Sequence, residues 1–342
     1  MNTLHPGLNS TGPAHPNAVA FPPIDPAEES TSSVTPEPTV PTEGQSVAEA
    51  PEPPPQDFQL GRIITTAHLD ELGFPETHDP TVEPTIPPDF IHRPLKVGNT
   101  LQCKVVCQST TGKGAEPQYL LYIENQDGEP DLFLLSARKR KKARNAYYLI
   151  SRSQHDLRSS DENIVGKVRA NFLGTEYIVY DHGRNPHKPL DSVDSTTPVR
   201  EELCAVLYEP NILGFKGPRK MTLILPALKR DGSRQHHRPG KEDISLVETY
   251  RSTCSPSLLV LHNKVPQWNE ESHSYVLNFN GRVVLASVKN FQIVSANSLD
   301  YIVLQCGRVS GNTFTLDFQY PMTPLQAFGI ALCSIDDKIA CQ

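Results

Sequence analysis

Two cationic side chains alternate along a strand-like segment near the middle of the sequence, Ile164-Val-Gly-Lys-Val-Arg169. In an extended chain, side chains two residues apart lie about 7 Å apart on one face, so Lys167 and Arg169 share a face that Val168 does not. Two cations this close repel each other unless solvent screens them or an anion lies between them. A Lys point charge beside a planar Arg fork suits a group with two neighbouring phosphates. An ordinary polar outer face of a sheet is the alternative.

Two further clusters of basic residues occur in the sequence. The first cluster, here called the basic run, comprises Arg138, Lys139, Arg140, Lys141 and Lys142. It is typical of a nuclear-import signal or of a surface for nucleic acid or anionic lipid, and also of a solvated connection between strands. The second cluster, here called the accessory cluster, comprises Lys216, Arg219 and Lys220 around a Gly-Pro turn. It either extends a lipid- or nucleic-acid-binding surface or forms a solvated turn.

Other reactive residue types lack the spacing that catalysis or metal binding requires. Cys103 and Cys107 have no second Cys or His pair at zinc spacing. Asp181-His182 and Cys204 occur without a nucleophile elbow or a triad context. We therefore expect no catalytic residue, no metal and no cofactor, in a protein that is not an enzyme. The 7 cysteines are odd in number and scattered, which indicates a reducing compartment.

The last stretch of the sequence predicts a helix that must be buried on all sides. Thr323 supplies an N-cap oxygen, and Pro324 suits the first helical position. Apolar residues then occupy every face of the helix: Leu325, Ala327, Phe328, Ile330, Ala331, Leu332 and Ile335. The run is shorter than the about 20 apolar residues of a membrane span. The rest of the chain must therefore surround it, either as a closed barrel or as a sheet and a second layer.

The sequence from about Leu101 onward predicts the strands that surround this helix. About a dozen short strand-like runs, separated by turn signals, extend from there to Tyr320 and include Tyr275 to Phe279. Only one helical patch interrupts them, near residues 242–250. This pattern predicts an all-β fold with a central helix, in which a closed antiparallel β-barrel encloses the hydrophobic C-terminal α-helix.

Residues 1–91 differ from the rest in composition and charge. Residues 1–100 carry 14 acidic and 3 basic side chains, a balance of −11, so residues 101–342 carry +4 of the total −7. A Pro-rich, acidic segment buries too little apolar surface to fold, which predicts a disordered tail before a domain at residues 92–342. Within the tail, the more apolar residues 58–74 predict either a short partner-binding helix or a weakly ordered linker. With neither a signal peptide nor a membrane span in the sequence, we expect a soluble protein with only peripheral membrane contact.

Four motifs resemble those of a known family. They are Asn171-Phe-Leu-Gly-Thr-Glu-Tyr-Ile-Val-Tyr-Asp181, Asn211-Ile-Leu-Gly-Phe-Lys-Gly-Pro-Arg-Lys-Met221, the segment from Tyr275 to Ile293, and Leu325-Gln-Ala-Phe-Gly-Ile-Ala-Leu332. Together they resemble the carboxy-terminal domain of the tubby and tubby-like proteins, from about Arg93 to Gln342. The resemblance implies a closed antiparallel barrel of twelve strands threaded by a hydrophobic helix.

The resemblance also implies a ligand, the headgroup of phosphatidylinositol 4,5-bisphosphate. In the family a Gly-Lys-hydrophobic-Arg strand binds it, which corresponds here to Lys167 and Arg169. An Asn in an Asn-Pro turn and an Arg before the following strand contribute, here Asn185 and Arg200. The sequence departs from the family at Tyr147, where relatives of tubby itself often have Asn. Losing one neutral hydrogen bond is expected to weaken binding by about 0.5–1.5 kcal/mol.

Two functions follow from these observations. The first is a monomeric, non-enzymatic adaptor that binds phosphatidylinositol 4,5-bisphosphate in the cytoplasmic leaflet of the plasma or ciliary membrane. By resemblance, it directs membrane receptors to the cilium, with an N-terminal segment that contacts the intraflagellar transport complex. The alternative is a nuclear, DNA-binding transcription regulator that is released from the membrane, with the basic run as its import signal.

Overall fold

The computed structural model describes residues 18–20, 62–64, 86–109, 117–125, 128, 130–142, 145–155, 162–188, 197–209, 220–252, 257–270 and 273–336. In chain order its strands are β1 (Ala18–Ala20), β2 (Arg62–Ile64), β3 (Asn99–Gln108), β4 (Gln118–Ile123), β5 (Leu132–Lys142), β6 (Asn145–Ser151), β7 (Ile164–Ala170), β8 (Glu176–Asp181), β9 (Glu202–Tyr208), β10 (Met221–Pro226), β11 (Leu258–Asn263), β12 (Gln267–Asn269), β13 (Ser274–Asn278), β14 (Phe291–Ser295), β15 (Ser298–Arg308) and β16 (Thr313–Gln319). The helices are α1 (Leu246–Ser252) and α2 (Pro324–Ile335), with a 3-10 helix at Phe90–His92.

Twelve of these strands form a closed antiparallel β-barrel. Strands β3 to β11 pair in sequence order, β14, β15 and β16 continue the sheet, and β16 pairs with β3 to close it. The predicted closed barrel is therefore confirmed. The strand expected at Tyr275 to Phe279 exists as β13, but it lies outside the barrel in a small sheet with β12 and β1.

Two short segments of the acidic tail pair with the rest of the protein. Arg62–Ile64 runs parallel to the start of β3 and buries Ile64, which is 1% exposed. Ala18–Ala20 pairs with β13. Of the two alternatives for residues 58–74, the helix is not formed at Arg62–Ile64, which is a strand, and the rest of that segment lies outside the described residues. Phe90 and Ile91 are also buried, so core packing begins ahead of residue 92.

The C-terminal helix α2 fills the barrel. All 12 of its residues are buried. Thr323 caps it as expected, because its Oγ1 accepts a hydrogen bond from Gln326 N while Gln326 Oε1 accepts one from Thr323 N, each at 3.2 Å. Outside the barrel, α1 packs its buried Leu246 and Val247 against β9 and β10. Within the described ranges, neither helix has the length and hydrophobicity needed to cross a bilayer.

Glycines let the barrel wall and the helix approach each other closely. A Cβ on Gly329 of α2 would lie 2.8 Å from both γ carbons of Val179 in β8. A Cβ on Gly166 of β7 would lie 3.1 Å from Leu325 of α2. Because Gly166 faces the helix, the strand alternation directs its neighbour Lys167 away from the core.

A buried carboxylate fixes the C-terminal end of the helix to the barrel wall. Asp336 is 1% exposed and accepts hydrogen bonds from the Tyr148 hydroxyl at 3.0 Å and the Tyr177 hydroxyl at 3.1 Å. Burial raises the pKa of Tyr148, so its hydroxyl stays protonated as a donor. Lys139 of β5 forms an ion pair with the same carboxylate, and its side chain is only 18% exposed. One member of the basic run therefore points into the protein.

We expect Asp336→Asn to destabilise the fold, because it leaves the Lys139 charge buried without its counter-ion. Removing one partner of a buried ion pair costs about 3–5 kcal/mol, which denaturant unfolding would detect. Adding Lys139→Met should restore part of this loss. Asp300→Asn is the matched control, since Asp300 is fully exposed and lies 4.0 Å from Lys264. Equal unfolding midpoints for Asp336→Asn and Asp300→Asn would contradict the assignment.

Candidate functional site

The two cations of β7 lie on the outer face of the barrel. Lys167 is half-buried and Arg169 is exposed, whereas Val168 between them is fully buried. The predicted alternation is therefore present. In the sheet register, Lys167 pairs with Tyr180 of β8 on one side and with Leu149 of β6 on the other, and Arg169 pairs with Tyr147. The departure from the family motif at Tyr147 thus lies directly beside Arg169.

Tyr180 connects these cations to Arg200. Its ring lies under the Arg200 guanidinium, with 4.1 Å between the guanidinium carbon and the ring centroid. This is a cation–π contact, which holds the planar guanidinium in one orientation. Since Tyr180 is also the register partner of Lys167, the structure brings Lys167, Tyr180 and Arg200 side by side. Sequence reasoning missed Tyr180, because only the strand register identifies it.

A carboxylate at the end of β8 fixes the backbone that carries Arg200. Asp181 Oδ1 accepts hydrogen bonds from Gly183 N at 2.9 Å and from Glu201 N at 2.7 Å. Arg200 N in turn donates to Arg184 O at 3.0 Å. Gly183 is essential to this close approach, since a Cβ there would lie 2.3 Å from the Arg200 Cα. The position of Arg200 is therefore set by the backbone before any ligand binds.

Asn185 lies next to this backbone contact, one residue after Arg184. Its Oδ1 accepts a hydrogen bond from His187 N at 3.2 Å, which closes the Asn-Pro turn. Any contact from its side-chain amide to an anion therefore comes from the Nδ2 donor. The structure thus brings the backbone next to Asn185 against that of Arg200.

The charges of this site oppose one another. Burial lowers the pKa of Arg200, which is 9% exposed. Among the neighbouring groups, Tyr180, Glu202 and Asp181 raise the pKa of Arg200, whereas the positive charge of Arg169 lowers it. Arg169 therefore lies close enough to Arg200 to disfavour the charged form of Arg200. An anion between them would relieve this repulsion. The arrangement can bind an anion.

The basic run is part of the barrel wall. It is not the solvated connection between strands that was one of the sequence alternatives. It lies in β5, which extends to Lys142 and pairs with β6 along this stretch. Lys139 points inward, so Arg138 and Arg140 point outward. In the sheet register, Arg138 is aligned with Lys167 across β6, and Arg140 is aligned with Arg169. Arg138 also donates to Gln118 Oε1 at 3.3 Å. The outer face of β5 to β7 therefore carries four cations.

Lys220, the described member of the accessory cluster, does not join this site. Lys220 forms an exposed ion pair with Glu209 at 3.3 Å. It lies where β10 begins, at the opposite end of β9 from Arg200. Lys216 and Arg219 lie outside the described residues. The two ends of β9 thus carry separate groups of basic residues.

The remaining reactive groups form no second site in the part of the chain that the structure describes. No disulfide bond joins the described cysteines, which are Cys103, Cys107, Cys204, Cys306 and Cys333. Burial raises the pKa of Cys204 to about 12, so its thiol is protonated at neutral pH. No group of three or more His, Cys, Asp or Glu side chains within these ranges could hold a metal ion.

A closed twelve-stranded barrel filled by its own C-terminal helix defines the class of this domain. Residues 91–337 match the Tub family. The chain therefore belongs to the Tub family, and the resemblance carried by the four sequence motifs is confirmed.

The chain is similar in sequence to several tubby and tubby-related proteins. The chain is 46% identical over 255 residues to Tubby-related protein 3 of Mus musculus, which covers 74% of this chain and 55% of that protein. It is 45% identical over 264 residues to Tubby-related protein 1 of Homo sapiens, covering 77% and 48%. It is 46% identical over 261 residues to Tubby protein homolog 1 of Caenorhabditis elegans, covering 74% and 60%. The chain spans about half the length of the curated relatives it matches.

We expect Tyr180 to make stability depend on pH in the alkaline range. Burial raises the pKa of Tyr180 to about 12. Above pH ~10 the unfolded chain releases this proton while the folded protein keeps it, so the free energy of unfolding falls as pH rises from about 10 to 12. Relative to Tyr180→Phe, which lacks the titrating group, the wild-type protein should lose about 2 kcal/mol over this range. Guanidinium unfolding at a series of pH values measures this, and parallel curves for the two proteins would contradict it.

Proposed function

We propose that this protein is a non-enzymatic adaptor that binds phosphatidylinositol 4,5-bisphosphate and thereby attaches reversibly to the cytoplasmic face of a membrane. The observation that carries the proposal is the convergence of Lys167, Arg169 and Arg200 around Tyr180, with Arg169 close enough to lower the pKa of Arg200. In this assignment the two neighbouring phosphates of the headgroup bind between these cations, and Asn185 donates a hydrogen bond to the inositol face.

The arrangement suits adjacent phosphates for a geometric reason. Lys167 supplies a point charge, whereas the Arg200 guanidinium is held flat against Tyr180 and offers a planar set of donors. Hydrogen bonds from cations to phosphate are about twice as strong as neutral ones. Because the backbone around Gly183 already fixes Arg200, little ordering entropy is lost when the headgroup binds.

The wider outer face would add attraction to an anionic leaflet. Arg138 and Arg140 lie on the same face as the site, two strands away from Lys167 and Arg169. Basic residues near such a leaflet contribute about 1 kcal/mol each. Binding of this kind is peripheral and is lost when the lipid is hydrolysed.

The cellular role in this proposal follows from the family resemblance. It is the delivery of membrane receptors to the cilium, with the tail contacting the intraflagellar transport complex and the barrel contacting the lipid. Membrane attachment by a single lipid headgroup is reversible, which fits a carrier that must release its cargo.

We expect Lys167→Ala with Arg169→Ala to abolish binding of the full chain to vesicles that contain phosphatidylinositol 4,5-bisphosphate. The variant removes two charge-assisted contacts, worth about 1.5–3 kcal/mol each, so co-sedimentation should weaken at least about a hundredfold. The matched control is Lys229→Ala with Arg230→Ala, which removes the same charge from exposed positions outside the outer face of β5 to β7. Unchanged binding by the Lys167 and Arg169 variant would refute the proposal. Binding to duplex DNA at low salt measures the nuclear alternative in parallel.

We expect Tyr147→Asn to strengthen binding to the same vesicles. Tyr147 is the register neighbour of Arg169, so an amide there gains a donor next to the site. One neutral hydrogen bond contributes about 0.5–1.5 kcal/mol, which corresponds to a two- to twelvefold tighter dissociation constant. Tyr147→Phe separates the loss of the phenol from the gain of the amide. Unchanged binding of Tyr147→Asn would mean that this position does not contact the headgroup, and weaker binding would contradict the expected gain of a donor.

A further inference from the structure

The turn between β7 and β8 exposes two large apolar side chains to solvent. Phe172 is 69% exposed and Leu173 is 53% exposed. They follow directly on β7, the strand that carries Lys167 and Arg169. A Phe and a Leu at adjacent exposed positions have an energetic cost in water, because their apolar surface remains hydrated.

The turn that carries this pair has a fixed conformation. Asn171 Oδ1 accepts hydrogen bonds from Thr175 N at 3.0 Å and from Glu176 N at 3.3 Å, and Asn171 Nδ2 donates to Thr175 Oγ1 at 2.8 Å. Gly174 adopts a φ of 74°, a left-handed conformation that favours glycine. The local hydrogen bonds therefore hold Phe172 and Leu173 at the tip of a defined hairpin.

Basic residues cluster at the same end of the barrel as this tip. The β5–β6 turn lies at this end, and the sequence places Lys141 and Lys142 in the last positions of β5. The β9–β10 connection also begins here, since Tyr208 N donates to Thr175 O at 2.8 Å. Where this connection ends, Lys220 O accepts a hydrogen bond from Glu209 N at 3.1 Å. An apolar tip next to the exposed Arg169 of β7 is complementary to an anionic lipid surface.

We propose that the β7–β8 tip inserts Phe172 and Leu173 into the apolar layer of an anionic bilayer. This proposal rests on the proposed function, because the lipid headgroup at Lys167 and Arg169 would bring the tip to the membrane. The occupant of the apolar surface is the acyl layer of the leaflet, and a protein partner is an outcome of the test below.

The distances along β7 are compatible with simultaneous binding of headgroup and tip. Arg169 precedes Phe172 by three residues and Lys167 by five, about 10 Å and about 17 Å along an extended strand. A headgroup layer is about 5–8 Å thick on each side of the hydrocarbon core. An inclination of β7 by about 40° to the membrane normal would shorten these separations to about 8 Å and about 13 Å, with Arg169 at the outer edge of this layer and Lys167 about 5 Å beyond it.

The first test compares the wild-type protein with a double variant of the full chain that carries both Phe172→Ser and Leu173→Ser. We expect affinity for phosphatidylcholine vesicles with phosphatidylinositol 4,5-bisphosphate to fall at least about tenfold, because two apolar side chains lose their burial. Affinity for soluble inositol 1,4,5-trisphosphate should stay unchanged, since that ligand has no acyl chains. The matched control is Val284→Ser with Leu299→Ser, whose side chains are 65% and 59% exposed on other parts of the surface.

The second test measures insertion directly. Phe172→Trp in a Trp268→Phe background gives a chain with one tryptophan, at the tip. Vesicles with brominated acyl chains should quench its fluorescence, and vesicles without phosphatidylinositol 4,5-bisphosphate should not. The absence of quenching on vesicles that bind the protein, or full vesicle affinity of the serine variant, would overturn insertion and leave a protein partner as the occupant of the tip. If the wild-type protein binds neither vesicles nor the soluble headgroup, the proposed function fails instead.

Discussion

The enclosure of an entirely apolar helix is the constraint on which the rest of this structure depends. Every residue of α2 is buried, so the barrel strands direct mostly apolar side chains inward, and the inward charge of Lys139 is paired with Asp336. Gly166 and Val179 illustrate this requirement, since both lie against the helix without room for larger groups. The alternation of a strand then assigns the intervening residues to the outer surface. Lys167 and Arg169 face outward because the residues that alternate with them along β7 face the helix.

The same constraint explains why the candidate site is rigid. Its cations are carried by strands that are packed against the helix, and Arg200 is fixed by the contacts of Asp181 and Gly183 with the adjacent backbone. Strand packing and backbone contacts therefore hold these like charges near one another, and neither depends on the charges themselves. The folded barrel offsets the cost of the repulsion between Arg169 and Arg200.

Local sequence patterns predicted the parts of the structure that depend on neighbouring residues. The buried helix, its Thr323 cap and the outward orientation of Lys167 and Arg169 follow from composition and alternation, and the family motifs supplied the strand count and the remaining site residues. The contacts of Asp336 with Lys139, Tyr148 and Tyr177 were not predictable, because they join residues more than 150 positions apart.

Strand register was the other property that the sequence did not contain. A single sequence does not specify which residue of β5 or β8 lies opposite a given residue of β6 or β7. The basic run therefore gave no indication that Arg138 and Arg140 share an outer face with Lys167, or that Lys139 points inward. The place of Tyr180 beneath Arg200 has the same origin, since β8 and β9 are separated by a long connection.

The most direct measurement is a crystal structure of the protein with inositol 1,4,5-trisphosphate, the soluble headgroup. The account predicts that the 4- and 5-phosphates lie within hydrogen-bonding distance, about 2.7–3.2 Å, of Lys167 Nζ and of the guanidinium groups of Arg169 and Arg200. A headgroup bound elsewhere on the barrel, with these three cations uninvolved, would contradict it.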